Sequence, residues 1–318
     1  MKTACLLALI APLQLMAGDN PSLDLIAEVK GFSHPASVAW DGSYYYVSDI
    51  GKEMKPTEKD GDGSISRMDS RGENLESDFI TKLNAPKGLL VVKNTLYVCD
   101  IDSLLGFNLE TKKKTFEVSF AKDGVTFLKD VCYAGDGRLF VSAADKNKIY
   151  LVDVAGKSAK EVSLNVAPNG PNGLVFWKDG NDAFLVVVEW GSDNKPNGKI
   201  KGYSLDDTLL RGSYDAMPED PRMKSGYLDG VSLMYNTKGA TTGLLYSDWV
   251  DIKPVGKLFC LFRGEGDPMQ ISSLDIPKGP PGGPADFFYD PKTSTIALPC
   301  ILEGRVLLMH LKSPKTSE

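Results

Sequence analysis

The 318-residue sequence is poor in the groups on which much enzyme chemistry depends. It contains two histidines, His34 and His310, one in the first repeat and one in the last strand-like segment, so a histidine dyad at a single site is disfavoured. No GxSxG elbow occurs, which removes the usual frame of a serine triad. None of the five cysteines has CxxC spacing, so a cysteine-built zinc site is not expected. Lysine and arginine total 36 against 42 acidic residues, with no basic tract, and that balance argues against nucleic acid as a partner. No stretch reaches the roughly 18 uninterrupted apolar residues of a membrane span. Helical periodicity is nearly missing, and glycine or proline punctuates the chain every few residues.

What is present begins with an export-like start. Lys2 is followed by an apolar run from Ala4 to Met16, broken only by Gln14, and then by the small residues Ala17 and Gly18. Residues 1–18 therefore read as a signal peptide, leaving residues 19–318 as one domain secreted or held in the periplasm. Cys5 would leave with the signal. Cys99, Cys132, Cys260 and Cys300 remain, as buried thiols or with one disulfide, and the sequence does not choose among the pairings.

The main feature is a repeat hidden by variable loops. Six turn-like openings each lead into an apolar strand: HPASVAW from His34, APKGLLV from Ala85, LKDVCY from Leu128, GPNGLVF from Gly170, YLDGVSL from Tyr227 and GPADFFY from Gly283. Each is followed by a second strand, such as YYYVSD from Tyr44 or TLYVCD from Thr95, and by a third. The anchors Val38, Leu89, Val131, Leu174, Val231 and Phe287 lie 42 to 57 residues apart. Short β-branched strands at such a period predict an all-β, six-bladed β-propeller, because one blade cannot bury both faces but stacked neighbours can. The last repeat lacks a fourth strand, and Leu23 to Val29 has no blade of its own. The N-terminal segment is therefore expected to complete the last blade and close the ring. Three polar insertions, Gly51 to Asp62, Gly191 to Asn197 and Gly212 to Gly226, are candidates to shape a binding mouth.

The residue at the centre of each opening should fall on one ring around the axis: Ala36, Lys87, Lys129, Asn172, Asp229 and Ala285. Asp49, Asp100, Glu189 and Asp248 end the second strands and read first as turn caps. Asn172 and Asp229 are different, since two oxygen-bearing side chains on adjacent blades can converge on a hard cation. His34 is a further candidate for the mouth, with a turn histidine as its plainer alternative. KDGDGS from Lys59 looks like half a calcium loop but lacks the closing Glu, so a polar turn is expected.

PNGL at Pro171 and LDGV at Leu228 resemble two metal-ligand motifs of the regucalcin/gluconolactonase family of six-bladed propellers. VSD, GDGRLFVS and GKIKGY resemble the same family over nearly the whole mature chain. The resemblance implies a divalent cation at the mouth (calcium, with zinc or manganese as alternatives), Asn172 and Asp229 as ligands, and Asp229 as catalytic base in lactone hydrolysis. From their places in the openings, Lys87, Lys129, Asn172 and His34 are the candidate substrate contacts. Two positions depart from the family. Ala36 stands where the family carries a metal-binding Glu, and Lys129 where it carries a substrate-binding Asn. An ammonium about 4 Å from a carboxylate gains on the order of 4 kcal/mol at intermediate dielectric, so a lysine paired with Asp229 can take the cation's place. Candidates for a third oxygen ligand are Asp130, Asp286 and Glu189.

Three functions follow as expectations: an exported, metal-assisted lactonase acting on a sugar lactone or similar ester; a non-catalytic propeller binding an anionic small ligand or a protein partner; and a scaffold of NHL-type repeats. The sequence leans to the first. A monomer with a small-molecule partner, and neither membrane nor nucleic acid, is the expected state.

Overall fold

Period-two alternation decides how this chain packs. In the second blade, the strand Thr95–Asp100 sends Leu96 and Val98 toward the first blade, against Tyr46, Ile65 and Phe79. The intervening Tyr97 and Cys99 point the other way, into the third blade beside Val131, Leu139 and Val141. A strand buried on both faces needs neighbours on both sides, and only a closed ring gives that to every blade. Each such Leu or Val contributes about 1.5–3 kcal/mol on burial.

The computed structural model describes residues 21–312 apart from 194, 216–223, 236–238 and 264–268. It is a six-bladed β-propeller, with six antiparallel sheets in chain order around an axis. Blade 1 comprises Pro35–Trp40, Tyr44–Asp49, Gly63–Asp69 and Glu76–Leu83, and blade 2 Pro86–Val92, Thr95–Asp100, Ser103–Asn108 and Lys114–Ser119. Blade 3 comprises Leu128–Gly135, Arg138–Ala143, Lys148–Asp153 and Ser158–Glu161. Blade 4 holds Pro171–Asp179, Asp182–Glu189, Ile200–Leu205 and Arg211–Asp215, with Ser163–Leu164 added in parallel outside the last. Blade 5 holds Leu228–Tyr235, Thr241–Asp248, Lys257–Arg263 and Met269–Leu274. Blade 6 is Phe288–Asp290, Thr295–Cys300 and Arg305–Lys312, completed by Ser22–Lys30 from the other end of the chain. That closing strand runs antiparallel to Arg305–Lys312, from Ser22 opposite Lys312 to Lys30 opposite Arg305. The expected closure is therefore found, one residue longer at each end. The signal-like segment lies outside the described residues. The described cysteines are free, three of them buried, so of the two sequence alternatives the thiols are the one observed.

Two local devices hold the axis together. Glycine follows the mouth residue in blades 2, 4 and 5, because the next blade's backbone lies against it. A Cβ on Gly173 would meet the Asp229 carbonyl oxygen at 2.4 Å, and one on Gly88 would meet Asp130 Cα at 2.5 Å. Serine recurs near the end of the second strand in blades 1, 3 and 5. Ser48, Ser142 and Ser247 donate to the main-chain carbonyls of Lys87, Asn172 and Ala285, at 2.8, 2.7 and 3.1 Å. Each of these bonds fixes the mouth residue of the following blade. The acidic strand ends are caps, as expected. Asp49, Asp100, Glu189 and Asp248 accept main-chain N–H groups from the turn before the first strand of their own blade, those of His34, Ala85, Asn169 and Tyr227 among them.

Candidate active site at the central mouth

The six openings bring their central residues to one end of the channel, where a cavity of about 370 Å³ lies. Lys87, Lys129 and Asp229 line its floor, between Ala36 and Ala285. Lys129 places its Nζ 3.5 Å from Asp229 Oδ2, with the lysine side chain 16% exposed and the aspartate 2%. The Trp249 indole N–H donates to the same carboxylate oxygen at 3.1 Å. The other oxygen, Asp229 Oδ1, is buried with no hydrogen-bond partner. Burial pushes the Asp229 carboxyl up, opposed by the Lys129 charge, the Trp249 bond and the neighbouring Asn172 amide.

Lys87 is buried in a different setting. Its Nζ donates to the Ala85 carbonyl at 2.7 Å and sits 4.9 Å from the centre of the Phe127 ring. Burial pushes its pKa down to about 7, with the neighbouring Lys129 adding to the drop and Asp100 opposing it. Lys129 stands over the same Phe127 ring at 5.7 Å and over Trp190 at 5.9 Å. The Phe127 ring thus lies close to both amines.

Asn172 is 1% exposed, donates its amide N–H to the Leu228 carbonyl at 3.0 Å, tying blade 4 to blade 5, and stands beside Asp229, whose carboxyl it helps to hold down. The other candidates separate. His34 is a turn residue: its Nδ1 lies 2.9 Å from the Gly51 carbonyl, and it is not among the residues lining the cavity. Glu189 pairs with Lys201 at 2.9 Å in addition to capping its turn. Asp130 and Asp286 line a second, smaller cavity of about 190 Å³, walled by the first strands. Asp130 accepts from the main-chain N–H of Leu174 at 2.7 Å, and Asp286 from the Ser37 hydroxyl at 2.5 Å. Burial drives both carboxyls upward, Asp130 to about 7; the Asp229 charge adds to both rises, and Asp130 adds to that of Asp286. Among the described residues no three histidine, cysteine, aspartate or glutamate side chains are grouped to hold a metal.

The collar above the floor was missed in the sequence. Ile50, Ile101, Ala144, Trp190, Trp249 and Ile301 each follow the last residue of a second strand, and five of them line the cavity. The two tryptophans fall in blades 4 and 5, above Asn172 and Asp229, with ring centres 5.0 Å apart. The signal was there in VVVEW and YSDW, which put tryptophan at one offset in adjacent repeats. Two of the insertions do reach the mouth. Gly51 to Asp62 contributes Met54 and Pro56, and its Lys59 is tied to Asp102 of blade 2. Gly191 lines the cavity from the second insertion, whereas the greater part of Gly212 to Gly226 lies outside the described residues.

No family model matches this chain, and no curated protein does. Solved structures do. A luciferin-regenerating enzyme aligns at 14% identity over 92% of this chain and 96% of its own, with a TM-score of 0.63. A gluconolactonase-like protein aligns at 15% identity over 96% of both chains, with a TM-score of 0.61. A streptogramin B lyase aligns at 11% identity over 92% and 98%, with a TM-score of 0.56. At identities this low the likeness is one of fold, and the site must be argued from its own side chains.

Proposed function

We propose that the mouth hydrolyses a small ester or lactone, with a lysine in the electrophilic role that the resembling family gives to a metal. The Lys129–Asp229 pair carries the reading: an ammonium 3.5 Å from a buried carboxylate at the edge of the cavity. The Asp229 carboxylate lines the cavity and can take a proton from water, and burial makes it a stronger base than one in solvent. Lys129 can donate to the substrate carbonyl oxygen as charge builds there. The water oxygen bonds to the carbonyl carbon, the ester C–O bond breaks, and the leaving alkoxide recovers the proton from Asp229.

The walls speak to the body of the substrate. Phe127, Trp190, Trp249, Ile50 and Ile301 offer flat, apolar surface and few polar atoms. A polyhydroxylated sugar lactone would leave most of its hydroxyls unpaired there, so an aliphatic or aromatic acyl group fits better. The same lining suits a divalent cation poorly, having one carboxylate, Ala36 in place of a ligand, and an ammonium in the space.

The test is hydrolysis of a panel of γ- and δ-lactones and aryl esters, with and without chelator. Turnover should survive the chelator and fall at least about 100-fold in Asp229→Asn and in Lys129→Met. Turnover lost to chelator and restored by calcium, manganese or zinc would return the site to metal-assisted chemistry. A second reading, a non-catalytic propeller that binds a carboxylate, is favoured by the two lysines on one ring. It would be supported by calorimetric binding of carboxylates without turnover, abolished in Lys129→Met. Export by residues 1–18 belongs to the proposal too, and N-terminal sequencing of protein from periplasm or medium tests it.

A further inference from the structure

We propose that Lys87 is an amine nucleophile that forms an imine with a small aldehyde or ketone, preferentially a 2-oxo acid, in the mouth cavity. This is independent of the hydrolytic reading, which does not use Lys87. Most lysines are poor nucleophiles because they are protonated and hydrated. Two arrangements make them good ones, an apolar pocket and an adjacent cation, and Lys87 has both. Its side chain is buried, 2% of the residue being exposed, yet it lines the cavity. Its acceptor is a neutral carbonyl, that of Ala85, and among the described residues no carboxylate lies within ion-pairing distance to hold the proton on it. The second cation is Lys129, over the same Phe127 ring. The charged and titratable groups that act on Lys87 are Lys129, Asp100 and the Cys99 thiol, and their sum with burial leaves the amine half neutral near pH 7.

Lys129 also sets the preference for an acid. A 2-oxo acid can lay its carboxylate against that ammonium while its ketone carbon faces Lys87. The Lys87 nitrogen then bonds to the carbonyl carbon, a proton passes from nitrogen to oxygen, and water leaves to give C=N. One carbonyl compound is consumed and one water released, with no change of oxidation state. Phe127 and the collar limit access of bulk water to the product.

The test is reductive trapping on the full chain: pyruvate and cyanoborohydride at pH 7, followed by intact mass and peptide mapping. Cyanoborohydride delivers hydride to the imine carbon and leaves a stable secondary amine. One adduct per chain on Lys87 is expected, with labelling that rises with pH through about 7, since the neutral amine is the reactive form. Exposed lysines should label at least about 10-fold more slowly at that pH, given their ordinary pKa near 10.4. Acetone should label Lys87 more slowly than pyruvate, and Lys129→Met should erase that preference. Adducts scattered over exposed lysines with Lys87 unmodified would overturn the proposal, as would Lys87 labelling that begins only above about pH 9. Mapping on the unaltered protein makes the result independent of whether Lys87→Arg folds. Loss of lactone hydrolysis with trapping intact would sink the hydrolytic reading alone.

Discussion

Removing the Lys129 ammonium while leaving Asp229 in place would strand a carboxylate that is 2% exposed. Lys129→Met should therefore cost about 3 kcal/mol in urea unfolding at neutral pH, the scale of a broken buried pair. The penalty should shrink on acidification. Without Lys129, the folded Asp229 carboxyl is raised further above its unfolded value, so it favours the folded state when protonated and disfavours it as pH rises. Adding Asp229→Asn to Lys129→Met should recover most of the loss, because no charge is then left unpaired; an additive double variant would show that the two side chains are not coupled. At this scale the sequence was informative about the openings and silent about what stands over them. The phase of the repeat put Lys87, Lys129 and Asp229 on one ring, and the residues do meet there. It could not show that Asn172 turns its amide N–H to Leu228, or that the free thiol or turn environment claims Cys99 and His34. Those outcomes depend on side-chain torsions that a repeat does not encode.

Among the elements, the first strands matter most, since they meet near the axis where no solvent screens them. Asp130 crosses from blade 3 to accept the Leu174 N–H of blade 4, and burial lifts it to about 7. An ordinary aspartate sits near 3.9 when unfolded, so the native state holds this proton more tightly. The stability it contributes is complete below about pH 4 and is lost as pH climbs toward 7. Asp130→Asn should flatten that part of the profile, and melting curves at about pH 5 and pH 7 would show a smaller drop than in the parent protein. An unchanged slope would assign the decline to Asp286 or to other groups. The second and third strands were legible because their β-branched residues alternate cleanly. The outer strands were not: Glu76–Leu83 reads ESDFITKL, with five of its residues half-buried or exposed, and its apolar signal is correspondingly weak.

For the molecule as a whole, closure rests on one strand. Removing residues before Gly31 would leave Arg305–Lys312 as an unpaired edge, with Val306, Leu308 and Met309 losing the partners that now bury them. Such a chain should lose cooperative urea unfolding and associate on size-exclusion chromatography, as exposed apolar edges do. A monomeric, cooperatively unfolding truncation would show that blade 6 is stable with three strands. The closing segment is legible in the sequence because LDLIAEV belongs to none of the six repeats. Physical necessity did the rest, since a ring with an open seam exposes strand edges on both of its last neighbours.

That same pairing, Ser22 against Lys312, also orders events in time. The strand that seals the ring is made about 290 residues before its partner. At about 5–20 residues per second, it must wait roughly 15–60 s for its mate to emerge from the ribosome. Blades 1 to 5 can assemble meanwhile, each supplying a wall for the next, but the sixth cannot be finished early. The newborn protein therefore passes through a stage with two open edges and a waiting strand, and this interval is when it is most exposed to mispairing with another copy of itself.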